Sequence, residues 1–341
     1  MKQGNFTFNW PLVGNDHIIE FLAKSITNNN MTGSYIFSGP DNLGKTSLAK
    51  QFASSLICQN KGKGEGKLPC GKCSACKQSE KGIHGDVHLI KKDKDKKNIS
   101  IEQIREFIRT LGMSSFLNPY KIGIVKHAED LSIEAANALL KTLEEPKVKV
   151  VIILVTADID VLPTTIVSRS QILKFNPVQT DIIYDYLVKD YKAKRSTAKD
   201  LSHLCLGRPA LAVKFLEDKE FYTNYLDRAQ VFLQFSQQDI NQRLIAVEKL
   251  IGLKPVGQES VRIANRIIEI WQGLIRDLML LEIDQDNLVQ HLLLIEELKK
   301  LKTKYNRSAL LNLTNFLTQA KDYLQANVSP KLILENLVIN I

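Results

Sequence analysis

The hydrophobic rhythm of the chain changes near residue 177. Upstream of it, short apolar runs alternate with stretches of helical period. Tyr35-Ile36-Phe37, Lys121 to Val125 and Lys149 to Thr156 read as strands, the last a continuous apolar run that suits a strand covered on both faces. His84 to Ile90 and Gln171 to Phe175 add two shorter strand patterns. Between them apolar residues recur at helical spacing: Ile18, Ile19, Leu22 and Ile26 in the stretch from Asp16, then Leu48, Phe52 and Leu56 in a helix running to about Cys58. Ser100 and Gln103 make a capping box for a helix over 101–111, Ile133 to Glu145 reads as a helix stopped at Pro146, and Pro163 opens a short helix to Ser168. Alternation of this kind predicts an α/β fold, a parallel sheet with helices on both faces.

Beyond Asn176-Pro177 the strand patterns stop. Thr180 to Tyr191, Ser196 to Leu206 with Gly207 as C-cap, and Pro209 to Leu216 predict three short helices, a lid-sized unit. From about Phe221, longer leucine-rich amphipathic helices continue to Ile341, with weak breaks at Pro255-Val256-Gly257, Asp284 to Asp286 and Ser329-Pro330. The expected division is therefore 1–176 for the α/β domain, 177–219 for the small helical unit and 220–341 for an all-helical domain. Gln59 to Lys67 is rich in lysine and glycine and predicts a loop, as does the charge run Lys91 to Lys97.

Composition narrows the class. The 341 residues are 44% hydrophobic and 24% charged, as in soluble globular proteins, and no apolar run approaches the length that spans a bilayer. The opening MKQGNFTFNW has no apolar secretory core, so a cytoplasmic protein with no membrane association is expected, its five cysteines reduced. A net charge of +9 favours an anionic partner such as nucleic acid. No base-reading motif or aromatic stacking platform supports an independent DNA-binding protein.

Candidate chemistry concentrates in two places. Gly39 to Ser47, GPDNLGKTS, has the form G-x-x-x-x-G-K-T between an apolar strand and a helix. Glycines let backbone N–H groups curl around phosphate oxygens, the helix start adds its positive dipole end, Lys45 reaches the terminal phosphates and Thr46 suits Mg²⁺. Gly39, Gly44, Lys45, Thr46 and Ser47 are the expected nucleotide-binding residues, with ATP and Mg²⁺ as ligands. The second place holds Cys58, Cys70, Cys73 and Cys76, four of the five cysteines, at spacings that let four thiolates surround Zn²⁺. His84 and His88 are substitute ligands of lower rank, and Cys205, among leucines, reads as a buried thiol.

A phosphate-binding loop, a four-cysteine insertion, EAANALLKTLEEP (134–146), VTADIDVLPTTIVSRSQ (155–171), a three-helix lid and a tail with NVSPKL (327–332) follow one another in this chain. In that order they resemble the bacterial clamp-loader AAA+ subunits of DNA polymerase III over nearly the whole length. The resemblance implies an AAA+ P-loop sheet with a zinc-binding insertion, a helical lid and an all-α collar domain. It also implies a hetero-pentamer with tau/gamma and delta subunits that opens the sliding clamp and places it on primed-template DNA.

Departures from the family pattern bear on which subunit type it resembles. An active ATPase of the family carries an Asp-Glu pair at the strand end where this chain has Lys126 and His127, and lysine cannot ligate Mg²⁺ as a cation. Glu129 and Asp130 are expected past the strand tip, out of reach. The family's lid arginine falls on Ala210, with Arg208 two places early, whereas Ser168-Arg169 is retained before Ser170. The resemblance thus implies a delta-prime-type subunit that lends Arg169 to a neighbour's nucleotide as a catalytic arginine in trans, without its own hydrolysis. The alternative is a catalytically active tau/gamma-type ATPase.

Overall fold

Alternate residues of the apolar run Val150–Thr156 face opposite ways. Val151, Ile153 and Val155 pack with Phe37, Phe52, Ile122 and Ile124 on one side, while Val150, Ile152 and Leu154 join Ile36, Val125 and Leu139 on the other. Both faces are covered, which is why the run shows no polar alternation. The computed structural model describes residues 5–63, 65–93, 96–113, 120–145, 149–252, 257–326 and 328–340. Pro146, Pro255, Val256 and Asn327, expected at or near helix boundaries, lie outside these residues.

In chain order the first part contains β1 (Asn5–Phe8), α1 (Asp16–Thr27), β2 (Ser34–Ser38), α2 (Lys45–Ile57), β3 (Glu65–Leu68), α3 (Ser74–Glu80) and β4 (Val87–Ile90). It continues with α4 (Ile101–Gly112), β5 (Lys121–Lys126), α5 (Ile133–Glu144), β6 (Val150–Thr156), α6 (Thr164–Val167) and β7 (Gln171–Lys174). Five of the strands form a parallel sheet in the order β4-β5-β6-β2-β7. β6 thus separates the tip of β5 from the tip of β2, and Lys126 pairs with Val155 while Ser38 pairs with Thr156. The capping box is present: Ser100 Oγ accepts from the Gln103 N–H and the Gln103 side chain accepts from the Ser100 N–H.

One expectation fails. Gln59 to Lys67 is not a plain loop, because Gln59–Lys63 forms a 3-10 turn and β3 pairs in parallel with β1 from Asn5↔Glu65 to Phe8↔Leu68. Glu65, Gly66 and Lys67 are exposed and only Leu68 is buried, so β3 has no apolar alternation to read, whereas its partner β1 packs Phe6 and Phe8 against the core.

The helices that follow are α7 (Thr180–Lys189), α8 (Arg195–Leu204), α9 (Pro209–Glu217), α10 (Lys219–Gln234), α11 (Ile240–Ile251), α12 (Gln258–Glu282), α13 (Ile295–Lys302), α14 (Arg307–Gln325) and α15 (Pro330–Asn340). The chain forms two compact units, Met1–Ile182 with Arg208–Ala210, and Ile183–Gly207 with Leu211–Ile341. Within the second, α12 is the central helix, and its Trp271 is fully buried with Nε1 donating to the Arg228 carbonyl at 3.0 Å. Among the described residues no helix is long and apolar enough to cross a membrane.

Candidate nucleotide site and metal centre

β2 ends at Ser38, and the turn that follows requires its glycines. Gly39 has φ +138°, and an added Cβ would collide with the Phe175 carbonyl oxygen. Gly44 has φ +91° and stands at the N-cap of α2 without a side-chain cap bond, so the helix-start N–H groups are left for a ligand. Thr46 is half-buried and Ser47 exposed in the first turn of α2. Lys45 is buried, its Nζ donating to the carbonyls of Gly39 and, at 2.8 Å, Pro40. Burial pushes its pKa below the usual lysine value, against the opposing charges of Asp41 and Glu129. A triphosphate would offer this ammonium anionic oxygens in place of the two neutral carbonyls; the nearest carboxylate, Asp41, is 3.7 Å away. The N–H of Ala210 donates to the Asn42 carbonyl of the loop at 3.1 Å, so the position where the family's lid arginine is expected lies on the loop but offers a methyl group.

The tip of β5 carries Lys126 and then His127, which takes a left-handed conformation with φ 55°. A 3-10 turn, Ala128–Asp130, follows and turns Glu129 back over the ends of β5 and β6. Its Oε1 accepts from the Ala157 N–H at 3.3 Å and lies 3.3 Å from His127 Nδ1, while Oε2 is buried with no hydrogen-bond partner among the described residues. Burial acts to raise its pKa, but His127, Thr156 and backbone N–H groups outweigh that and hold the carboxyl below its usual value. Glu129 thus lies past the strand tip, as expected, with its carboxylate turned back onto the Ala157 N–H. Asp130 does turn away, pairing with Lys92 at 2.8 Å. Glu129 was hard to find from sequence because its direction depends on the left-handed His127.

Arg169 follows α6 and is part-exposed. Its carbonyl accepts from Ser34 Oγ at 2.7 Å, which ties the segment to the start of β2. Its guanidinium is 2.8 Å from Glu144 Oε1 at the end of α5 and donates to the Thr165 carbonyl at 2.9 Å and Ser168 Oγ at 3.3 Å.

All four sequence-chosen cysteines converge. Cys58 caps the C-terminus of α2, Cys73 is the N-cap of α3, Cys76 lies in that helix, and their sulfurs with that of Cys70 lie within 4.8 Å of one another. Four sulfurs at about 2.3 Å from one zinc ion stand about 3.8 Å apart, and Cys70 Sγ is 3.9 Å from Cys76 Sγ. Backbone N–H groups of Cys73 and Cys76 donate to the sulfurs of Cys70 and Cys73, both at 3.4 Å, as thiolate ligands require. The donor set therefore fits Zn²⁺. Burial raises the thiols of Cys58 and Cys76; at Cys70 burial acts the same way, but N–H groups of Cys73 and Lys72 bring it down to about 6. His84 and His88 do not join the cluster, the former accepting from the Asp86 N–H at 3.0 Å. Cys205 is buried, its thiol 3.3 Å from the Ser202 carbonyl, as expected.

The chain is similar to several known proteins. A family model described as DNA polymerase III, delta subunit, matches residues 14–179. The DNA polymerase III subunit delta' of Bacillus subtilis is 26% identical over 323 residues, 94% of each chain. The subunit gamma of Buchnera aphidicola is 33% identical over 176 residues, 52% of this chain and 47% of that one, so this chain spans about half the length of that relative. In fold, the chain is similar to a solved DNA polymerase III gamma subunit-related protein of Thermotoga maritima, with a TM-score of 0.53 at 19% identity over 94% of this chain and 97% of that one. At the level of sequence the likeness to the Bacillus subtilis delta' subunit runs from end to end, and the chain is similar to the clamp-loader subunits of DNA polymerase III, delta' among them.

Proposed function

We propose that this chain is the delta-prime-type subunit of a clamp loader, assembling with tau/gamma and delta subunits as a hetero-pentamer that places a sliding clamp on primed-template DNA in the cytoplasm. The α/β domain at 1–176 binds ATP with Mg²⁺ through Gly39, Gly44, Lys45, Thr46 and Ser47, the lid is 177–219 and the collar 220–341. Zn²⁺ held by Cys58, Cys70, Cys73 and Cys76 has a structural role, since four protein ligands leave no open position for water. Arg169 acts in trans on a neighbour's nucleotide. The observation that carries the reading is the match with delta' along 94% of both chains.

Lys126 and His127 at the tip of β5 support the absence of turnover, since neither supplies the carboxylates that hold Mg²⁺ and polarise water. The test is reconstitution: the chain mixed with tau/gamma and delta subunits should form one assembly of defined mass, and DNA-stimulated hydrolysis and clamp loading should require it. Failure to assemble overturns the reading. The second reading, an active tau/gamma-type ATPase, is favoured by the complete G-x-x-x-x-G-K-T loop. It predicts steady hydrolysis by the isolated chain that Lys45→Ala abolishes.

A further inference from the structure

We propose that Glu129 takes over, from the turn after β5, the metal-orienting acidic role that Lys126 leaves vacant, so that its second carboxylate oxygen faces the hydration shell of a Mg²⁺–nucleoside triphosphate. This rests on the nucleotide-binding reading of residues 39–47. Three observations on the sheet edge carry it. Ser38, the last residue before the loop, pairs with Thr156; the next residue, Ala157, donates its N–H to Glu129 Oε1; and so the carboxylate is fixed at the tip of the strand that borders the loop strand. Its other oxygen, Oε2, is out of solvent and makes no hydrogen bond among the described residues, an unfavourable arrangement that a ligand would complete. Finally, its charge is felt at Lys45, the ammonium of the phosphate loop.

The site as drawn explains how the chain can bind a Mg²⁺ complex without an acid at the strand tip. Thr46 offers a hydroxyl from α2 and Glu129 an anionic oxygen from the opposite side of β6, and the two together resemble the hydroxyl-plus-carboxylate set that holds Mg²⁺ beside a triphosphate. Glu129 is a positioning residue in this scheme. No group is thereby assigned to polarise the attacking water, because His127 occupies that place, and binding stays separate from turnover.

Glu129→Gln isolates the charge, since the amide oxygen can still accept from the Ala157 N–H. Affinity of the full chain for a fluorescent ATP analogue should be measured with Mg²⁺ and with EDTA. The wild type should bind more tightly with Mg²⁺. In Glu129→Gln that enhancement should fall about tenfold while binding in EDTA is equal or tighter, because a negative charge beside the triphosphate has gone. With Mn²⁺ replacing Mg²⁺, the electron paramagnetic resonance spectrum of the bound complex should change in Glu129→Gln and return toward the wild type in Glu129→Asp. An equal Mg²⁺ enhancement in wild type and Glu129→Gln, with an unchanged Mn²⁺ spectrum, overturns the role of Glu129 alone. A wild-type chain that binds no nucleotide under either condition overturns the nucleotide reading and this inference with it.

Discussion

Arg169 and Glu144 form an ion pair across two segments of the α/β domain, with Nη2 2.8 Å from Oε1. An arginine proposed to act on a neighbour is thus held at home by a carboxylate at the end of α5. Both side chains are part-exposed, so the pair is worth at most about 1 kcal/mol and opens readily.

Arg169→Ala should therefore leave the thermal unfolding of the chain nearly unchanged and its assembly intact. Hydrolysis at one neighbouring site of a reconstituted loader should slow by about 10³- to 10⁵-fold, the range of the arginine fingers of GTPases. Glu144→Gln, which releases the guanidinium, should keep or increase loading. Single-turnover hydrolysis and clamp loading by complexes of each variant check this. Unchanged rates with Arg169→Ala would leave the Glu144 pair as the residue's whole role.

Zinc removal should act locally. Structural zinc contributes about 10–16 kcal/mol in small modules, and here it would join the end of α2 to α3. A chelator, or Cys70→Ser, should speed amide exchange over 58–80 while β6 stays protected. Metal binding needs four thiolates, and because burial raises Cys58 and Cys76, zinc must displace their protons near neutrality. Affinity should accordingly fall as pH falls from about 8 to about 6, measured by competition with a chromogenic chelator. Elemental analysis finding no zinc in the purified chain would contradict the assignment.

What the sequence made legible depended on whether residue type carried the signal. β6 was readable because both its faces are buried, the phosphate loop because its glycines need left-handed φ or close backbone approach, and the cysteines because spacing alone nearly fixes a tetrahedral set. β3 was not, since Glu65, Gly66 and Lys67 are all exposed and show no alternation. The direction of Glu129 was not either, because the left-handed His127 and the 3-10 turn after it set where a carboxylate three places past the strand points.

The second unit holds a buried polar network that sequence gave no hint of. Asp277, fully buried on α12, accepts from the backbone N–H groups of Gln290 at 3.0 Å and His291 at 2.8 Å, and lies 2.7 Å from His291 Nδ1. His291 Nε2 in turn lies 2.7 Å from Tyr225 Oη, and Gln290 Nε2 donates to the Leu204 carbonyl at 2.8 Å. Asp277→Ala leaves two N–H groups and an imidazole without an acceptor, so it should cost about 3–5 kcal/mol. Asp277→Asn, which keeps one oxygen, should cost less. Urea unfolding of the full chain followed by fluorescence, with Trp271 close by on the same helix, reads the difference. A loss below about 1 kcal/mol in Asp277→Ala would show that the network contributes specificity rather than stability.

Lys61 presents the opposite case, a buried charge without an acceptor. Its Nζ has no hydrogen-bond partner among the described residues and sits 4.2 Å over the Tyr120 ring. Burial, with the charge of Lys149 adding to it, brings its pKa down to about 8 from 10.5. A lysine whose folded pKa is depressed weakens the folded state while charged. Below about pH 8 the penalty is complete; between about 8 and 10.5 the unfolded chain binds the proton that the folded chain has lost, so stability rises with pH across that window. Partial exposure and the ring reduce the penalty to about 1 kcal/mol. Lys61→Met should therefore stabilise the chain by about that amount at neutral pH, and the gap between variant and wild type should shrink by about pH 9.5 as the wild type loses its penalty. Urea unfolding at the two pH values measures the gap; one that stays constant would place the Lys61 ammonium in water rather than against Tyr120.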